Sequence, residues 1–273
     1  MIPLLLALLS GTSSSLPAEP AREDPAAELR KLCAKDDRDG CAALWRARPA
    51  SAFPAIVAEL DAALALREGG RAEDAEGASA REASALWGAR VAQEVLAAPL
   101  LADLAAARAG WTETDRRLFH EERAVHQKAM AWIEKGENRF GLEAALETTT
   151  RAIALGDWQG AAMGYQATAI AHQALSSFDD ALTAWTQARR TYRDLALPAE
   201  ELACQRAVVD MCYATERFSR GREAADQAAA LARSLGDKKS EAALLERRAG
   251  FEEKLGLRQA AEATRAAAKT LGN

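Results

Sequence analysis

The sequence predicts an all-α fold built from stacked helix–turn–helix repeats, and three observations predict it. Alanine, leucine, arginine and glutamate, which favour helices, fill nearly every window of the 273-residue chain, while aromatic residues make up only 5% of it. None of the eight prolines lies between Pro99 and Pro198 or after Pro198, and this leaves long stretches without a helix breaker. Finally, the second half of the chain repeats its apolar spacing about every 40 residues.

The first 21 residues resemble a short secretory signal peptide. An apolar run from Ile2 to Leu9 is followed by small and polar residues, and Ser13 and Ser15 are small enough for a cleavage site after Ser15. The run is too short to span a bilayer, so no integral membrane segment is expected. Because no lysine or arginine precedes the run, two interpretations stand: an exported protein, periplasmic or extracellular, or a cytoplasmic protein with a disordered start.

Residues 22–110 predict a less regular helical region. After a short lead-in, the expected order is two short helices around an Asp-Gly turn, a long helix closed by Gly-Gly, a polar loop, a second long helix and a short one: 25–35, 41–48, 51–70, 71–79, 80–97 and 99–110. No clear period runs through this region. It is either a set of decayed repeats or a separate helical module.

Four cysteines form two pairs whose members are eight residues apart. Cys204 and Cys212 lie in an uninterrupted helical pattern, where that spacing spans about 12 Å and exceeds the reach of a disulfide, so we expect buried thiols. The stretch between Cys33 and Cys41 breaks any helix and allows a hairpin. In an oxidising compartment the hairpin could join these two cysteines, and in a reducing one they stay thiols.

From residue 111 to residue 273, helices are predicted to alternate with short turns. Thr112 stands three residues before Asp115, the spacing of a capping box, and opens a helix of about 22 residues. Breaks are then expected near Gly136, Gly156–Asp157, Ser176–Ser177, Leu197–Pro198, Glu216–Arg217, Gly236–Asp237 and Gly256. Connections this short force consecutive helices to pack antiparallel, so the breaks predict a series of helical hairpins.

Residues of one kind recur about 40 positions apart in this part of the chain. The large ones are leucine or phenylalanine: Leu155, Leu195 and Leu235, then Phe178 and Phe218. The small ones follow at matching offsets: Ala181, Gly221 and Ala260, then Ala188, Ala228 and Ala267. Small residues at fixed offsets indicate helices that approach closely, and each hairpin then buries its apolar stripe, Trp185 included, against the next hairpin.

This pattern resembles the tetratricopeptide repeat in its longer bacterial form of roughly 40 residues. The residues that carry the resemblance are aromatic or small and stand at matching steps: Phe178, Ala181, Trp185, Ala188, Phe218, Gly221 and Ala228. The resemblance covers about 112–273 and implies a right-handed α-solenoid of three to four units. The chain departs from the family by lacking its helix-ending proline, and the last unit lacks the usual aromatics.

In that family the first helix of each repeat lines a groove that holds peptides or partner helices, and the resemblance implies the same surface here. The residues carried over are mostly polar, with charges of both signs: Met163, Gln166, Ile170 and Gln173 in one unit, Arg206, Asp210 and Tyr213 in the next, and Leu245 and Glu252 in the last. The resemblance therefore implies a protein or peptide partner.

No pattern in the sequence predicts catalysis, a metal or a cofactor. His120 and His126 are six residues apart, which on a helix turns their rings about 120° away from each other, so they do not form a zinc pair. Glycine-rich phosphate loops and nucleophile elbows do not occur. The net charge of −5 comes from mixed signs without a basic patch, so nucleic acid is not expected as a partner.

We therefore expect a non-catalytic scaffold that binds a protein or a peptide. Two alternatives stay open. One is a regulatory or sensory repeat module that serves a separately encoded effector. The other is a small-ligand-binding helical protein, which a deep apolar pocket with convergent polar groups between residues 25 and 110 would favour.

Overall fold

The computed structural model describes residues 24–271, and the predicted all-α class is confirmed. Thirteen α-helices and one turn of 3₁₀ helix (Pro49–Ser51) follow one another in this range, which contains no strand. The helices are α1 (Pro25–Ala34), α2 (Arg38–Ala47), α3 (Ala52–Gly69), α4 (Asp74–Leu96), α5 (Pro99–Ala109), α6 (Glu113–Glu134), α7 (Asn138–Leu155), α8 (Trp158–Ala174), α9 (Phe178–Asp194), α10 (Pro198–Ala214), α11 (Phe218–Ser234), α12 (Lys238–Lys254) and α13 (Arg258–Leu271). The signal-like segment 1–21 lies outside the described residues.

Helix α6 begins as its sequence predicts. The side chain of Thr112 accepts a hydrogen bond from the backbone of Asp115, and the Asp115 carboxylate accepts one from the backbone of Thr112. This reciprocal capping satisfies two amides that a helix start leaves without partners.

The turns after α6 repeat every 20 residues, half the period seen in the sequence. Each contains one residue with a left-handed backbone: Gly136, Gly156, Ser176, Ala196, Glu216, Gly236 and Gly256. The N–H of the residue after each of these donates a hydrogen bond to the backbone carbonyl five positions earlier. Asp157 donates to Ala152 and Ser177 donates to His172, both at 2.8 Å. This is the Schellman ending of a helix. All the predicted breaks are therefore confirmed, including three turns without glycine at the left-handed position.

The predicted loop over 71–79 is wrong, because α4 already begins at Asp74. Asp74 and Glu76 lie in its first turn, where acidic side chains stabilise the positive end of a helix. Helix α4 also packs along α3. Tertiary contact thus extends the helix through a segment whose composition is that of a loop.

Helix α3 is strongly apolar and carries one buried carboxylate. Pro49–Gly69 is long and apolar enough to cross a membrane, judged by length and composition alone. Glu59, in the middle of this stretch, is only 1% exposed and forms ion pairs with Arg30 of α1 and Arg81 of α4 (3.2 Å to Arg81). These pairs hold α3 between α1 and α4, both of which contact it.

From α6 to α13 each helix packs against the next along the chain, so this part is a stack of helical hairpins, as predicted. The hairpins are α6–α7, α8–α9, α10–α11 and α12–α13. Glycine allows close approach between them, since a Cβ on Gly164 of α8 would lie 2.9 Å from the backbone nitrogen of Thr149 in α7. Trp185 is buried in the core, where its apolar stripe places it.

The N-terminal helices pack onto this stack through α5, which contacts α8 and α9. Buried residues of both regions form one continuous core. The indole N–H of Trp111 donates to the backbone carbonyl of Leu155 at 2.9 Å. Ala107 lies so close to Gly156 that a Cβ on that glycine would be 2.5 Å from the Ala107 Cβ. The α7–α8 turn is therefore the place where α5 is held.

Candidate functional site

The predicted interaction surface belongs to the first helices of the hairpins, α6, α8, α10 and α12, and we call it the first-helix face. On α8 it consists of four half-buried residues: Met163, Gln166, Ile170 and Gln173. Neighbouring helices already bind two of them. The Tyr192 hydroxyl donates to Oε1 of Gln166 at 2.9 Å, and Nη1 of Arg123 donates to Sδ of Met163 at 2.9 Å. This part of the face is partly occupied by the chain itself.

The face is more open on α10. Arg206 and Tyr213 are exposed, and Asp210 is half-buried. Asp210 forms an ion pair with Arg247 of α12 at 2.9 Å, and the Arg247 guanidinium lies 5.7 Å from the centre of the Tyr213 ring. Burial raises the pKa of Asp210, and the positive charge of Arg247 opposes that rise. A tyrosine and charges of both signs therefore lie side by side across α10 and α12.

On α12, the assignment of Leu245 and Glu252 to the surface is wrong, because they are only 7% and 1% exposed. The next residues along the chain, Glu246 and Glu253, continue the 40-residue spacing from α10 and are exposed. One step along a helix turns a side chain by about 100°. The alignment of α12 to the repeat is therefore off by one residue, so the predicted residues lie on the core side of α12 and not on its open side.

The middle of the face on α12 has free space. Gly250 stands 40 residues after Asp210, and a Cβ on it would meet no described atom within 4 Å. Ala203 of α10 and Ala243 of α12 are exposed alanines at the register of Met163. The absence of long side chains at these positions leaves room for the backbone of a partner to approach α10 and α12.

A second cluster, not predicted from the sequence, lies where α5 meets α6 and the α7–α8 turn. We call it the junction, and its members are aromatic or charged: Arg108, Phe119, Glu122, Arg123 and Asp157. The guanidinium carbons of Arg108 and Arg123 lie 4.8 and 5.0 Å from the centre of the Phe119 ring. Arg108 also pairs with Asp61 of α3 (3.0 Å), and Arg123 pairs with Asp157 (2.8 Å). The junction therefore connects the N-terminal helices to two hairpins.

Glu122 has the least satisfied side chain of the junction. It is fully buried, and within residues 24–271 neither carboxylate oxygen has a hydrogen-bond partner. The nearest cation is Nε of Arg123, 3.6 Å from Oε2. Burial raises the pKa of Glu122 to about 7, despite the attraction of Arg123 and Arg108. A buried acid that titrates near neutral pH is a candidate functional group.

The repeat register contains a signal for Glu122. The positions 40, 80 and 120 residues later are Ala162, Leu202 and Ala242, all apolar. Packing of the stack therefore requires no acid there, and a buried glutamate is rare unless it is paired. The signal is weak in the sequence because the first unit matches the repeat poorly.

The cysteines are free thiols in the structure, and burial confirms the interpretation of Cys204 and Cys212. Cys33 is half-buried and Cys41 is buried, and the two are not joined. Burial raises the pKa of Cys41 to about 12. A thiol with such a pKa is almost entirely protonated at neutral pH and is therefore a poor nucleophile.

Residues 24–271 contain no group of three histidine, cysteine or acidic side chains placed to hold a metal ion. His120 pairs with Glu68 of α3, with 2.6 Å between Nε2 and Oε1, and burial lowers the pKa of His126. A cavity between α3, α4 and Trp111 has a volume of about 10 Å³, room for about one water. It is far smaller than the pockets that hold small ligands.

No protein-family model matches the chain, and no curated protein matches it either.

Proposed function

We propose that this protein is a tetratricopeptide-like scaffold that binds a protein or a peptide on the first-helix face of α10 and α12. The observation that carries the proposal is the exposed ring of Tyr213 beside the Asp210–Arg247 pair, with free space at Gly250. Tyrosine and arginine are enriched at protein interfaces and often contribute most of the binding energy.

Arg206 favours a partner that brings an acidic group to α10 next to an apolar one, whereas the exposed acids of α12, Glu246 and Glu253, already pair with Arg265. Arg206 is exposed, and its positive charge acts to lower the pKa of Asp210 and of Asp237 without a direct ion pair among residues 24–271. Its guanidinium can bind a carboxylate of a partner in bidentate geometry. The ring of Tyr213 offers an apolar surface two turns further along α10.

The proposal is tested by filling the free space. A Cβ at Gly250 meets no other helix or side chain within 4 Å, so we expect Gly250→Phe to keep the fold while its ring obstructs the face. Ala230→Phe, at an exposed position of α11, is the matched control. Proteins captured from the native host by the unaltered chain are identified by mass spectrometry, and the affinity of each is then measured by titration. Gly250→Phe should weaken binding by about tenfold or more, the effect of losing one important contact.

Equal affinities for the two phenylalanine variants would contradict the proposal, because the obstruction at Gly250 would then have no effect on binding. Arg206→Glu provides a second test. This variant should weaken binding of the same partner. It should also make the remaining affinity less sensitive to salt, since a charge attraction has been removed.

We also propose that the protein is exported, which rests on the apolar run and small residues of segment 1–21. The intact mass of the protein from fractionated host cells tests it. Cleavage near Ser15 in an exported fraction would support export, and a full-length cytoplasmic species would contradict it.

A further inference from the structure

Glu122 lies where helices α5, α6, α7 and α8 come together. The glutamate belongs to α6, and a Cβ on Gly160, in the first turn of α8, would lie 3.0 Å from its Oε1. The charged groups that act on it come from all four elements: Arg108 of α5, Arg123 of α6, Arg151 of α7, and Asp157, which precedes α8. The site is thus shared between the N-terminal helices and the repeat stack.

The contacts that hold α5 to the stack involve residues close in sequence to Glu122 and to Asp157. Arg108 lies over Phe119, three residues before Glu122, and Trp111 donates to the carbonyl of Leu155, two residues before Asp157. With α5 in place, Glu122 has no exposed surface. Release of α5 would remove the Arg108 side of this enclosure and admit water.

Ionised Glu122 is therefore more stable when α5 is released. A buried carboxylate without hydrogen bonds is unfavourable, whereas a protonated carboxyl tolerates the same surroundings. Release also removes the attraction of Arg108, which favours the ionised form. This loss is smaller than the gain from solvation, because burial is the largest influence on the pKa of Glu122, and Arg108 affects that pKa less than burial, Arg123 or Asp157 does.

We propose that Glu122 makes the attachment of α5 to the repeat stack proton-dependent: the protonated carboxyl stabilises the contact and the ionised carboxylate loosens it. The N-terminal helices would then be held tightly in mildly acidic surroundings and more loosely above neutral pH. The proposal is independent of the binding partner and of the first-helix face, because it concerns a contact within the chain. The pKa of Glu122 rises from its usual 4.5 to about 7, and this difference limits the change in the equilibrium between attached and released α5 to a few hundred-fold.

Hydrogen–deuterium exchange of the full chain at pH 5.5 and pH 8.0 tests this proposal, with each rate divided by the intrinsic rate at the same pH. Amides of α5 should lose protection by about tenfold or more between the two pH values, within the limit set by the pKa change. Amides of α13 at the far end serve as the internal control. Fraying of α13 leaves Glu122 buried, so their protection should not depend on pH.

The matched variants are Glu122→Gln, which keeps the shape of the protonated carboxyl, and Glu134→Gln, which alters an exposed acid of the same helix. Glu122→Ala provides a second variant that the stack accommodates, since alanine occupies this register at Ala162 and Ala242. Both Glu122 variants should show α5 protection independent of pH, and Glu134→Gln should behave like the unaltered chain. The proposal is overturned if α5 protection in the unaltered chain does not change with pH. It is also overturned if the change persists without Glu122.

Discussion

Two glycines in helix interiors should respond in opposite ways to the same substitution. Gly164 lies against α7, where a Cβ would be 2.9 Å from the backbone nitrogen of Thr149 and 3.0 Å from its Cα. Gly250 lies on the open side of α12, where a Cβ would meet no described atom within 4 Å. Each is replaced by alanine.

The magnitudes follow from two effects. Alanine favours a helix over glycine by about 0.5–1 kcal/mol, and this gain applies at both positions. Gly250→Ala should therefore raise the free energy of unfolding by that amount. At Gly164 the added methyl group meets backbone atoms that no rotamer change can move, and such overpacking costs about 1–3 kcal/mol. The helix gain cancels between the two variants, so their difference of about 1–3 kcal/mol measures the steric cost of separating α7 from α8.

Urea denaturation followed by circular dichroism measures both free energies, and an unchanged slope shows that the unfolding transition is comparable. Gly250→Ala should move the midpoint up and Gly164→Ala should move it down. If Gly164→Ala stabilises the protein as much as Gly250→Ala does, then α7 and α8 do not approach closely at Gly164, and the proposed packing of the stack is wrong.

Three further predictions concern the core, the turns and the junction. Trp185→Ala should lower the free energy of unfolding by about 3–5 kcal/mol in chemical denaturation, because a large buried side chain is lost; a loss under about 1 kcal/mol would mean that the ring is not in the core. Glu216 has a left-handed backbone with φ of 57°, which glycine adopts without the steric cost that a side chain brings. Glu216→Gly should therefore raise the free energy of unfolding by about 1 kcal/mol and raise the melting temperature, and an unchanged melting temperature would argue against the Schellman turn. The pKa of Glu122 is raised in the folded state, so the stability that this group contributes is fully present below its usual value near 4.5 and is lost as the pH rises through about 7. The free energy of unfolding of Glu122→Gln should therefore exceed that of the unaltered chain by about 2–3 kcal/mol at pH 8 and by less than about 1 kcal/mol at pH 5. Equal differences at both pH values would refute the pKa assignment.

The stack was predictable from the sequence because its signals are local and repeated. The sequence indicated breaks at Ser176–Ser177, Leu197–Pro198 and Glu216–Arg217, although no glycine stands at the left-handed position of these three turns. The start of α4 was not predictable in this way. Asp74 opens a helix in a polar segment because α3 packs beside it, and composition alone does not show that contact.

Which residues of the proposed surface are exposed was partly predictable, since helix periodicity fixes which side of a helix a residue faces once its register is known. The predicted residues are half-buried on α8 and mostly exposed on α10, whereas the register is off by one residue at Leu245 and Glu252, because the last unit has few large residues to align on. The junction required the fold itself. Arg108 and Asp157 come together only because α5 packs against the stack at the α7–α8 turn.

The central claim, that the face of α10 and α12 is a binding surface, is tested most directly by photo-crosslinking in the native host. A photoreactive phenylalanine derivative replaces Tyr213, whose exposed ring it resembles, and in a second strain it replaces Ala230 on α11. We predict one discrete crosslinked species from position 213 that is absent at position 230. Crosslinking at position 230 with none at position 213 would contradict the claim and would place the binding surface on α11.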